Sequence, residues 1–296
     1  MNSNFVIIGL PGSGKTTFLA ALWHIVEANE KPCLLRLERF EGDQTYLNKI
    51  SEAWRTFQPV ERTSQTGDTD VVMHLVDDSS GTQAAAFFPD VAGERFSDQV
   101  EARRSRRIFV DNVAECDGVM LFINANSKQD FLSILELNAQ LPPEPPATDS
   151  DPEDKTAQES WSDDDEEEEL VWEPKETPGS VRIVQILSDL LRAPFEVRRR
   201  RLALVISAWD LIVPSGRTPA QWIAGEMPLV DQFLRTNRDF FDSRLYGVSA
   251  QGVDFKDEAA VREAAKKNPS ERIMIVDVGE PGHDITVPLL WLMTDG

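Results

Sequence analysis

Apolar residues fall into short continuous runs separated by stretches of helical period. Phe5 to Gly9 is such a run, ending in glycine, and Thr17 to Ala28 carries Phe18, Leu19, Leu22, Trp23 and Ile25 at helical spacing. The predicted order is strand, loop, helix. Val71 to Val76 and Thr82 to Phe88 flank the turn-rich Asp77-Asp78-Ser79-Ser80-Gly81, which predicts an antiparallel hairpin rather than a helical crossover. Val119 to Ile123, Leu202 to Ile206 and Leu245 to Val248 read as further buried strands, with helical segments in most of the intervals. Asp257 to Lys267 reads as a helix, Ile273 to Val276 as a candidate extra strand, and Pro288 to Met293 as a closing apolar helix. The predicted class is α/β: a doubly wound, mostly parallel sheet of about six strands with one antiparallel hairpin edge strand and a ligand site at the C-terminal strand ends.

One interval breaks this rhythm. Pro142 to Pro178 combines proline, acidic runs such as Asp163 to Glu169, and few apolar residues besides Trp161, Leu170, Val171 and Trp172, so it reads as a disordered insertion. It serves either as a solvated loop or as a docking segment whose tryptophans meet a partner. Residues 1–141 and 179–296 are then the two parts of one domain, with 142–178 inserted between them.

That insertion changes the reading of the charge. Fifteen of the 51 acidic residues lie in it against Lys155 and Lys175, so it carries −13 of the formal −21 and leaves −8 for the remainder. The remainder is mildly acidic, and backbone binding to nucleic acid needs clustered Lys and Arg, so no direct nucleic-acid signal is present. The apolar fraction of 41% suffices for a core. Cys33 and Cys116 lack metal-type spacing and do not make a disulfide framework. With no leader pattern and no membrane-length apolar window, the expectation is a cytoplasmic protein without a membrane segment.

Gly9-Leu10-Pro11-Gly12-Ser13-Gly14-Lys15-Thr16 fits G-x-x-x-x-G-K-[ST] and sits between a buried strand and a helix start, as the mechanism requires. Glycines let successive backbone N–H groups turn inward around phosphate oxygens, and the helix N-terminus, which includes Thr17, adds a favourable dipole. Lys15 is expected to bridge the outer phosphates and Thr16 to offer a hydroxyl to Mg²⁺, a hard ion that prefers oxygen ligands. Phe18, Leu22 and Trp23 read as core packing and His24 as a helix-surface residue.

Phe87-Phe88-Pro89-Asp90-Val91-Ala92-Gly93-Glu94 is an apolar strand ending in Asp-x-x-Gly, in which an aspartate holds Mg²⁺ through water and a glycine N–H meets the γ-phosphate. Ser207-Ala208-Trp209-Asp210 and Ser249-Ala250-Gln251 follow at the ends of two later strands. In this order the motifs resemble those of the translation-factor-related class of P-loop GTPases, over nearly the whole chain outside the insertion. Within that class the wording is similar to bacterial GTPase-like proteins, some in tandem-GTPase arrangements, that accompany predicted conflict and defence systems. The resemblance implies a small-GTPase-like P-loop fold that binds and hydrolyses GTP as a switch acting through a protein effector or activator. It implies that Asp210 accepts from guanine N1 and N2 and that the Ala250 N–H, beside Ser249, donates to O6. Ala208 departs from the family lysine whose stem packs on the base, so Trp209 or another side chain is expected to cover that face.

The expected switch-one threonine is Thr66 or Thr63, with Thr69 a third in the cluster, and it would add a ligand to Mg²⁺ beside Thr16 and Asp90. Glu94 stands where relatives carry a water-orienting glutamine; a carboxylate there repels the γ-phosphate, so intrinsic hydrolysis is expected to be slow, unless Glu94 merely begins the next helix. Gly93, Glu94 and Lys15 are the candidate catalytic positions. Arg62 is a candidate arginine finger, while Arg103, Arg104, Arg106 and Arg107, and likewise Arg198 to Arg201, read as solvated faces or acidic-partner sites. Two other functions stay open: a nucleotide-loaded scaffold with negligible turnover, and an ATP-using P-loop NTPase in which Trp209 stacks on adenine.

Overall fold

The computed structural model describes residues 2–28, 33–59, 70–89, 101–102, 104–105, 107–114, 116–126, 177–255, 257–278 and 281–294. In chain order the elements are β1 (Asn2–Gly9), α1 (Lys15–Ala28), β2 (Leu35–Glu41), α2 (Gln44–Arg55), β3 (Val71–Asp77), β4 (Gln83–Phe88), α3 (Arg107–Ala114) and β5 (Gly118–Asn124). They continue with α4 (Gly179–Asp189), β6 (Arg200–Ser207), α5 (Pro219–Glu226), α6 (Pro228–Thr236), β7 (Phe241–Ser249), α7 (Glu258–Ala264), α8 (Pro269–Arg272), β8 (Met274–Val276) and α9 (Val287–Met293).

The strands form one sheet in the order β2-β3-β4-β1-β5-β6-β7-β8. β4, β1, β5, β6 and β7 are parallel, whereas β3 and β8 run against their neighbours. The class is therefore the expected one, with eight strands rather than about six: β8 is the extra strand read from Ile273 to Val276, and β2 was not anticipated. β2 lies outside the β3–β4 hairpin and pairs antiparallel with β3.

Alternation along β1 explains why its whole run is apolar. Phe5 and Ile7 enter the core formed with α1, α2 and α9, while Val6 and Ile8 enter the opposite core with α3, α4, α5 and α6. α2 is set by Asp43, whose carboxylate accepts from the N–H groups of Thr45 and Tyr46, and by the buried stripe Leu47, Ile50, Ser51 and Trp54. α5 starts with a capping box between Thr218 and Gln221, with Pro219 in the first turn.

Parallel register fixes where the site lies. Gly9 stands opposite Phe122, Asn124 opposite Ser207, and Ser207 opposite Val248. The strand ends that carry the motifs thus reach the same edge. β1 is flanked by β4 on one side and β5 on the other, so the chain changes winding direction there, at the kind of crevice where open α/β sheets bind ligands. Among the described residues, no helix is long and apolar enough to cross a membrane.

Candidate functional site

Gly9 to Gly14 form a loop closed by a bond from Ser13 N–H to the Leu10 carbonyl, and α1 begins directly after it, with Phe18 N–H on the Gly14 carbonyl. The first N–H groups of α1, including those of Thr16 and Thr17, have no partners one turn earlier in the helix and suit an anion. Gly14 has φ +92°, and a Cβ there would lie 2.8 Å from Ser207 Cβ and Oγ, so only glycine fits beside the end of β6. Pro11 and Gly12 are exposed at the crown of the loop, and Ser13 is buried beneath it.

Lys15 reaches back across the loop. Its Nζ donates to the carbonyls of Gly9 (2.6 Å) and Leu10 (3.0 Å) and to Ser13 Oγ (3.2 Å). Burial pushes the ammonium down from its ordinary 10.5 to about 8, because an amine taken out of water resists carrying charge. An anionic phosphate in the loop opposes that cost.

At the second half of the edge, Ala208 leaves β6 in the left-handed region (φ 54°, ψ 39°), and a 3-10 turn over Trp209–Leu211 follows. This reversal separates two neighbours. Asp210 stays partly exposed and its Oδ1 accepts from Ser249 Oγ at 2.5 Å, while Ser249 Oγ accepts from Gly252 N–H at 3.1 Å. Trp209 turns into the core at 1% exposure against Gly247, where a Cβ would fall 2.2 Å from the indole ring. The expectation that Trp209 covers the base is therefore corrected: its ring fills the gap left by Gly247. Ala250 follows Ser249, and its carbonyl accepts from Trp54 Nε1 at 3.0 Å.

Of the predicted site residues, Gly9, Pro11, Gly12, Ser13, Gly14, Lys15, Thr16 and Thr17 form one loop and helix start, and Asp210, Ser249 and Ala250 form the second cluster. Asp90, Gly93, Glu94, Thr63 and Thr66 lie outside the described residues, as do Thr69, Arg62, Arg103, Arg106 and 142–176 of the insertion. Pro89, one residue before Asp90, follows β4, which is the parallel neighbour of β1. For Mg²⁺ the donors fit: Thr16 puts a hydroxyl at the helix N-terminus beside the phosphate loop. Among the described residues, no group of three or more His, Cys, Asp or Glu side chains could cage a metal.

Sequence reasoning passed over Asn124. Its Nδ2 donates to the Gly12 carbonyl at 2.7 Å, tying the end of β5 to the loop. The available signal was a polar residue closing a buried strand at the edge that carries the motifs. The arginines sort differently. Arg107 has a 94% exposed side chain beside Asp111 and Arg104 is exposed, as a solvated face should be. Arg198, Arg200 and Arg201 are structural staples instead: Arg198 binds Asp117 and the carbonyls of Ala114 and Cys116, and Arg200, 1% exposed, binds those of Leu190 and Glu196. Arg201 binds the Trp291 carbonyl.

A phosphate loop on the first strand and a carboxylate-serine pair at the far strand ends, on this sheet order, make the chain a P-loop domain of the GTPase type. It belongs to the Double-GTPase 1 family, whose model matches residues 6–292. Similar solved structures include the Saccharomyces cerevisiae Ski7 GTPase-like domain bound to GTP, at 13% identity and a TM-score of 0.39 over 85% of this chain and 43% of that one. Another is the bacterial selenocysteine-specific elongation factor EF-Sec, at 11% identity and a TM-score of 0.35 over 90% of this chain and 30% of that one. The chain thus spans less than half the length of either. No curated protein matches the sequence.

Proposed function

We propose that this GTP-binding domain is a magnesium-dependent switch that hydrolyses the β–γ bond of GTP slowly and signals through a protein effector or activator in the cytoplasm. The observation that carries the guanine part is the Asp210–Ser249 hydrogen bond at the edge that also holds the phosphate loop. Ser249 donates to one carboxylate oxygen of Asp210, and the carboxylate has further lone pairs for two N–H donors such as guanine N1 and N2. Adenine offers a different edge, with no N1–H. Trp209, buried in the core, does not offer the stacking face that would have favoured adenine.

In the proposed mechanism Lys15 neutralises the outer phosphates and the loop N–H groups orient them. Thr16, with Asp90 and Thr66 or Thr63, would hold Mg²⁺, which supplies further neutralisation of phosphate charge when bound. Gly93 and Glu94 would meet the γ-phosphate, and the Glu94 carboxylate there accounts for slow turnover. Residues 1–141 and 179–296 would form one GTPase domain, with the acidic segment 142–178 available to a partner. The test is thermal unfolding with Mg²⁺ and GDP, GTP or ATP, for wild type and Lys15→Ala, together with phosphate release. A guanine-only shift of the wild type supports the reading, since ligand at 100 times Kd stabilises by about 2.7 kcal/mol. An adenine shift, or none, defeats it. Guanine binding without phosphate release leaves a nucleotide-loaded scaffold.

A further inference from the structure

α2 touches elements from both halves of the site, α1 on one side and the segment after β7 on the other. It follows the edge strand β2, and its last turn reaches the loop that begins at Ser249. Trp54, 0% exposed, donates its indole N–H to the Ala250 carbonyl at 3.0 Å. In return, Gln251 Nε2 donates to the Trp54 carbonyl at 3.2 Å. The two bonds run in opposite directions between the same short segments, so they fix both the distance and the rotation of the loop.

The tryptophan is itself held. Arg272 lies with its guanidinium carbon 4.9 Å from the Trp54 ring centroid and 4.2 Å from that of Phe57, a cation between two aromatic faces. The Arg272 carbonyl approaches Gly252 so closely that a Cβ there would meet it at 2.3 Å, and Gly252 has φ +77°. On its other side α2 meets α1, the helix that opens on Lys15: Trp23 Nε1 donates to Asn48 Oδ1 at 2.9 Å, and the His24 and Trp54 rings lie 5.2 Å apart.

We infer that Trp54 is a positioning residue for purine recognition: by gripping the Ala250 carbonyl from behind, it aims the Ala250 N–H at the 6-oxo group of the base. This rests on the guanine reading above. The Ala250 N–H and C=O belong to successive peptide planes joined through the φ and ψ of Ala250, so a carbonyl held from inside the core on one side, with Ser249 fixed in β7 opposite Met274 on the other, limits how that N–H turns. The contact is made in the core, where an indole N–H finds a partner or is left costly and unpaired.

The test uses the full chain with Trp54→Phe, which keeps an aromatic ring and loses the N–H, and with Gln251→Ala, which removes the returning bond and leaves the core rings in place. The probes are GDP and 2-aminopurine riboside diphosphate, which lacks the 6-oxo group, with dissociation constants measured by calorimetry. In Trp54→Phe, GDP should bind about five- to tenfold more weakly while the analogue changes by less than about twofold. Gln251→Ala should show the same selective pattern and decides the matter if Trp54→Phe does not fold. Equal losses for both nucleotides, or unchanged GDP affinity in both variants, overturn the inference and leave Trp54 as packing alone. A wild-type chain that binds the analogue as well as GDP overturns the guanine reading itself, before any substitution is made.

Discussion

Asn124 and Gly12 are joined across the sheet edge, the amide of the one donating to the carbonyl of the other at 2.7 Å, while Asn124 Oδ1 accepts from the Asn126 N–H at 2.8 Å. The second bond fixes the amide's orientation, and the first ties the Gly12 carbonyl to the end of β5. Asn124→Ala should therefore weaken GDP and GTP about fivefold, the worth of one hydrogen bond, without altering the preference for guanine. Calorimetric titration with guanine and adenine nucleotides checks this, and a change in the ratio between them would show that Asn124 acts elsewhere.

Gly14 has no room for a side chain. Its φ of +92° disfavours any L residue, and Ser207 stands where the methyl would go. Gly14→Ala should abolish detectable nucleotide binding and lower the thermal midpoint of the nucleotide-free chain. Adding Ser207→Gly should recover part of the midpoint by removing the clash, but not full binding, because the backbone strain remains. Full recovery of binding would mean that space alone dictates the glycine.

How much of this was legible in the sequence follows from the physics of each part. The phosphate loop could be read because its glycines, lysine and threonine are consecutive and their spacing is itself the mechanism. The central strands could be read because burial on both faces makes them continuous apolar runs, as in Phe5 to Ile8. β2 escaped because an edge strand needs little burial: Leu35 is buried while Arg36, Glu38 and Arg39 read as polar chain. α2 was open to reading from Asp43 and the Leu47, Ile50, Ser51, Trp54 stripe. The partnership of Trp209 with Gly247 was not, since it depends on the register of β6 against β7 and on the left-handed turn at Ala208.

Asp210 is expected to accept two N–H groups of guanine. Asp210→Asn presents an amide in place of one acceptor and removes the negative charge, so GTP should weaken by roughly ten- to a hundredfold, the range for a charge-assisted hydrogen bond. Xanthine carries an oxygen where guanine carries its 2-amino group, and the amide can donate to it, so xanthosine triphosphate should gain affinity in the same variant. Competition binding with both nucleotides reads the two effects together. A variant that loses GTP and gains nothing for xanthosine triphosphate would place Asp210 outside the base contact.

The buried ammonium of Lys15 makes nucleotide binding pH-dependent, with a determinate sign. Its pKa in the free protein is lowered to about 8, against 10.5 for an unperturbed lysine. Between these values the unfolded chain holds a proton that the native chain has lost, so this group alone makes the free protein more stable as pH rises through the window. Binding runs the other way. Phosphate oxygens favour the charged amine, so above about pH 8 the nucleotide must draw a proton onto Lys15, and affinity should fall by up to tenfold per pH unit. Between pH 7 and about 8.8, below the ionisation of guanine N1, GDP should weaken roughly five- to sevenfold. Calorimetry in two buffers of different ionisation enthalpy should show net proton uptake at the upper pH and almost none at the lower. A dissociation constant that stays flat over this range, with no proton uptake, would mean that Lys15 is fully charged in the free protein and that its carbonyl contacts with Gly9 and Leu10 offset its burial.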